Sequence, residues 1–136
     1  GSAYIFDGAT KAVEAILPGT YRCLRTTPAR MGPDLIVLGD DQGGLAAWQH
    51  TGAGYAIVHS ADVGTTPIDG ITLGPLNQIW VGTAGRLQLY GSWPGTLLWS
   101  SDPFGTLFGS QVESLVPDSR MVVSAGTYGL VGFGPP

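Results

Sequence analysis

The sequence predicts an all-β chain, a β-propeller or half-propeller built from three four-stranded blades of about 43 residues. Three observations carry that expectation. Apolar runs centred on Ile36, Ile79 and Val122 recur at intervals of 43 and 43, and a second register of aromatic residues, Phe6, Trp48, Tyr90 and Phe133, recurs at 42, 42 and 43. Recurrence at 20 to 50 residues is the signature of a repeat architecture. The third observation is punctuation: Gly 22 and Pro 10 divide the chain into short stretches rich in Ile, Val, Leu and aromatic residues, which read as strands between tight turns.

The middle unit is the plainest. Pro67 to Leu73, Gln78 to Val81, Leu87 to Tyr90 and Thr96 to Trp99 are its four expected strands. Gly74-Pro75-Leu76-Asn77, Gly82-Thr83-Ala84-Gly85 and Gly91-Ser92-Trp93-Pro94-Gly95 supply the positive-φ and fixed-φ residues that hairpins need. In the unit before it, Asp34 to Leu38 leads through Gly39 to Gly44 into Leu45 to Trp48, and His50 to Gly54 turns into Tyr55 to His59. Downstream, Val112 to Leu115, Arg120 to Ser124 and Gly129 to Phe133 repeat the first three strands. At the start, Ala3 to Asp7 and Lys11 to Ile16 correspond to a third and a fourth strand. The whole of 1–136 reads as one domain with units at about 3–19 (partial), 20–62, 63–102 and 103–136 (partial).

Ile79-Trp80-Val81-Gly82-Thr83-Ala84-Gly85-Arg86-Leu87-Gln88-Leu89-Tyr90, followed by Leu97-Leu98-Trp99, resembles the repeat of the WD-repeat and quinoprotein-like propeller superfamily. The Trp-Asp dipeptide that names the WD repeat is absent, since Gln49 follows Trp48. The resemblance implies a propeller and recognition of partners by its loops. Closure normally takes four or more blades. Three units therefore point to a homodimer forming a six-bladed ring, with a closed monomeric variant as the alternative, and the N-terminal strand pair could complete the unfinished C-terminal unit within one chain or across to a partner.

Composition narrows the function classes. Net charge is −4, and the six basic residues are scattered, so there is no basic stripe for a phosphate backbone and nucleic acid is not expected. No apolar run reaches the length of a membrane span. The single cysteine, Cys23, cannot form an internal disulfide and reads as a buried thiol. The two histidines, His50 and His59, are nine residues apart and lack a metal-ligand pattern. Asp40-Asp41-Gln42-Gly43-Gly44 lacks the alternating carboxylates of a calcium loop and reads as a turn. No cofactor, metal or catalytic residue is expected.

The expected function is a non-catalytic binding or scaffolding module for protein partners, with a glycan-binding lectin-like propeller and a fragment of a quinoprotein-like enzyme as alternatives. Trp48, Trp80 and Trp99 are expected to pack within the fold, and Trp93, in a turn, to be exposed. On one face of the expected ring lie Asp40, Asp41, Asp62, Arg86, Phe104, Phe108 and Tyr128. Phe104 and Phe108, in a glycine-rich connection, need something apolar to pack on. The connection from Arg25 to Pro33 concentrates Arg25 and Arg30 on the opposite face. The candidate partner-binding residues are thus Phe104, Phe108, Trp93, Arg25, Arg30 and Tyr128.

Overall fold

The computed structural model describes residues 1–26, 34–73, 78–91, 95–102, 111–115, 122–126 and 129–133. These form four antiparallel sheets. The first is the hairpin β1 (Ala3–Phe6) and β2 (Val13–Leu17); the second runs β3 (Tyr21–Thr26), β4 (Leu35–Asp40), β5 (Gly44–His50), β6 (Tyr55–Asp62). The third runs β7 (Ile68–Leu73), β8 (Ile79–Thr83), β9 (Arg86–Tyr90), β10 (Leu97–Ser100), and the last is β11 (Gln111–Leu115), β12 (Val122–Gly126), β13 (Gly129–Phe133). Each is a meander in which neighbours in sequence are neighbours in the sheet.

Turn chemistry explains the local pairing. Ala84 and Gly85 join β8 to β9 with φ of 49° and 74°, the two positive values that a two-residue hairpin turn demands. Alanine pays for this with a Cβ pressed against the backbone. Replacing it, Ala84→Gly, should raise stability by roughly 0.5–1 kcal/mol, measured by urea unfolding. At the β4–β5 turn the Asp40 carboxylate accepts from the Gln42 N–H at 2.8 Å and the Gly44 N–H at 2.7 Å, so this acidic stretch is built as a turn.

The main core lies between the second and third sheets. Val37, Leu45 and Ala47 meet Ile68, Ile71, Ile79, Val81 and Tyr90, all at most 8% exposed. A smaller core on the opposite face of the second sheet holds Leu17, Leu38, Ala46 and Trp48, with Ala3, Ile5 and Tyr21 against it. The sheets approach one another at their early strands, β3 and β4 against β7, and β7 and β8 against β11. The outermost strand β6 is exposed from Ala56 through Ser60.

The all-β class stands, but the propeller does not. The sheets are separate and none is curled or closed into a ring, so the WD-repeat and quinoprotein-like resemblance fails at the level of architecture. The six-bladed homodimeric ring fails with it. Closure requires the first sheet to meet the last. Here β1–β2 packs its apolar side on the second sheet, and among the described residues no strand ladder joins it to β11–β13. The expected completion of the C-terminal unit by the N-terminal pair is therefore not found within the chain.

Candidate interaction surfaces

The hairpin β1–β2 is amphipathic because its strands are in register. Ala3 pairs with Leu17 and Ile5 with Ala15, and this side covers the smaller core. Tyr4 pairs with Ile16 and Phe6 with Val13 on the other side. Simple alternation would put Val13 and Ile16 on opposite faces. The register shifts at Glu14, the extra residue of a β-bulge, and an inserted residue reverses the sidedness of the strand beyond it. Val13 is thereby brought to the outer face. Tyr4, Phe6, Val13 and Ile16 are 56%, 57%, 50% and 55% exposed, an uncharged apolar surface on one side of a two-stranded sheet.

The turn beneath that surface is well bonded. The Asp7 carboxylate accepts from the Ala9 N–H at 3.0 Å, the Thr10 N–H at 2.6 Å and the Thr10 hydroxyl at 2.8 Å. The Thr10 backbone bond first, then its hydroxyl, hold the Asp7 carboxyl below its ordinary value. Burial first, then the charge of the nearby Glu14 carboxylate, raises the Tyr55 hydroxyl above its ordinary value, and Tyr55 of β6 packs against the same smaller core that the hairpin covers.

Bulges also mark the first strands of the three larger sheets. Arg22 in β3, Asp69 in β7 and Glu113 in β11 each lack a partner in the ladder where the register slips. The extra residue in each case is charged. Arg22 reaches Asp69 across the sheet boundary, Nη2 to Oδ1 at 3.4 Å. Burial raises the Asp69 carboxyl above its usual value, and the Arg22 guanidinium works against that rise. Arg25 Nε donates to the Ile71 carbonyl at 2.9 Å, a second bond between the same sheets.

A shallow cleft of ≈ 470 Å³ lies beside the hairpin on the second sheet, lined in part by Thr20, Tyr21, Asp40, Ile57, Ser60 and Asp62. Its polar groups largely serve the fold: Asp40 caps the β4–β5 turn, and the Tyr21 hydroxyl accepts from Trp48 Nε1 at 3.1 Å. Cys23 faces the third sheet, its Sγ 3.6 Å from the Ile68 carbonyl, and burial pushes its thiol up to about 11. The His50 ring meets Tyr55 edge-on at 5.1 Å, and its Nδ1 accepts from the Gly52 N–H. Among the described residues no group of three or more His, Cys, Asp or Glu could hold a metal ion.

Of the partner-binding residues expected from sequence, only Arg25 lies among the described residues, in strand β3 rather than in a loop. Phe104, Phe108, Trp93, Arg30 and Tyr128 lie outside them. Recognition through propeller loops, and the lectin-like and quinoprotein-like alternatives that presuppose the same ring, are overturned by the unclosed sheets. Trp48 is 8% exposed, and Trp80 meets Trp99 edge-on at 6.1 Å and 65°, with Trp99 itself 37% exposed. The hairpin surface was missed in the sequence because the alternation that would reveal it is broken at Glu14. The spacing of Tyr4 and Phe6 was the one available signal.

Fold and surfaces together define an all-β, multi-sheet protein with an uncovered apolar sheet face. No protein-family model matches the sequence, and no match is found among curated proteins. Among the described residues no helix is long and apolar enough to cross a membrane.

Proposed function

We propose that this chain is a non-catalytic module that works by self-association, a second copy being its partner. The observation that carries this reading is the amount of apolar side chain left on sheet surfaces: besides the hairpin, Leu24, Ile57, Leu97 and Leu98 are 48–55% exposed. Covering such surface gains roughly 25 cal/mol per Å². Large contiguous apolar patches on folded proteins mark interaction sites.

The chemistry-bearing groups support the non-catalytic half. Cys23 is held as a thiol, Asp69 is paired with Arg22, and Asp40 is occupied by two backbone N–H groups. Each has a role in the fold. Sedimentation velocity across the micromolar range tests the reading: the average mass should climb above the 14.1 kDa of one chain as concentration rises. A mass that stays at 14.1 kDa throughout would rule self-association out.

A further inference from the structure

We infer that two copies associate face to face through the outer side of the β1–β2 hairpin, Tyr4, Phe6, Val13 and Ile16 of one copy lying on the same four residues of the other. This rests on the self-association reading and names its surface. Three observations favour it over the other apolar surfaces.

The first is contiguity. Tyr4–Ile16 and Phe6–Val13 are directly opposed cross-strand pairs, so the four side chains form one patch. The exposed residues of β6 and β10 are arranged differently, on outermost strands whose ladders slip at Val58 and at Leu98.

The second is charge. Each copy carries −4, which opposes association in general. The four side chains of the patch bear no charge, and the adjoining turn carries one acid, Asp7, and one base, Lys11. Two copies can meet there without placing like charges within the four-residue patch itself.

The third is area. Four side chains about half exposed present on the order of 400 Å², so pairing removes about 800 Å² from the two copies before any rim contact is added. Stable complexes remove roughly 1,200–2,000 Å². The expected association is consequently weak and reversible. A two-fold contact is also the commonest way for identical chains to close, and it sets the same apolar patch of each copy against itself.

The test has two arms. Tyr4→Ser/Phe6→Ser should weaken dimerisation at least about 10-fold in sedimentation, with its far-ultraviolet circular dichroism unchanged. In the second arm, which leaves three of the four side chains in place, Phe6→Cys should form a covalent dimer on mild oxidation. Val58→Cys on β6 should not, and Cys23, half-buried and held protonated, provides the unreactive background. Cross-linking of Phe6→Cys together with loss of dimer in the serine variant supports the proposal. A dimer that persists in the folded serine variant, or cross-links through Val58→Cys instead, overturns this surface while self-association itself survives. Wild-type protein that is monomeric throughout overturns both.

Discussion

Leu17→Ala should lower the free energy of unfolding by about 2–5 kcal/mol. Leu17 is 1% exposed at the end of β2, packed with Leu38, Ala46 and Trp48. A two-stranded hairpin is marginal on its own in water, so β1–β2 holds its shape through the sheet it lies on. Truncating Leu17 removes three carbons from that contact and leaves a cavity, and only partial collapse around it is expected because Trp48 is fixed by its bond to Tyr21. Urea unfolding measures the loss. Amide exchange locates it, with the amides of β1 and β2 opening first. A cost under about 1 kcal/mol would show that the hairpin does not depend on this contact.

Gly39→Ala should cost about 1–3 kcal/mol by overpacking. A Cβ on Gly39 would stand 2.7 Å from Ile68 Cγ2 and 2.9 Å from Cys23 Sγ. Neither neighbour can easily give way: Ile68 is fully buried between the two sheets, and the Cys23 thiol is turned to the Ile68 carbonyl. The added methyl must therefore push the second and third sheets apart. Ile68→Ala in the same chain removes the nearest clashing carbon, Cγ2, and leaves the 2.9 Å approach to the Ile68 Cβ, so the double variant should be more stable than the sum of the single losses predicts without full relief, the mark of residues in direct contact. Strict additivity in thermal or urea unfolding would contradict this close approach of the sheets.

How far the sequence could be read differs from element to element. Strands were legible where apolar runs met turn residues: Pro67 to Leu73 was expected and Ile68–Leu73 is found, Leu87 to Tyr90 was expected and Arg86–Tyr90 is found. Arg25 went the other way. Its place at the start of a proline- and glycine-containing stretch suggested a loop, whereas β3 continues through Thr26 because its ladder with β4 extends that far, to Thr26 opposite Ile36. The bulges at Glu14, Arg22, Asp69 and Glu113 left no local trace. Nothing in the residue types around them differs from an ordinary strand, and the slip exists only relative to a partner strand.

The candidate surface was hidden for the same reason. Tyr4 and Phe6 could be seen to share a side, but Val13 joins them only through the slip at Glu14. Whether that side faces water or protein depends on where the hairpin lies.

Local sequence alone determined that this chain forms short strands joined by tight turns, because alternation, β-branched residues and glycine act within a few residues of one another. It also determined that equivalent strands recur at about 43 positions. Only the tertiary structure decided that the resulting sheets remain separate instead of closing, and that one side of β1–β2 is left open. A periodic pattern specifies that each sheet has a face to bury; which other sheet buries it depends on contacts distant in sequence, such as Leu17 with Leu38 and Trp48, and no local pattern encodes that choice.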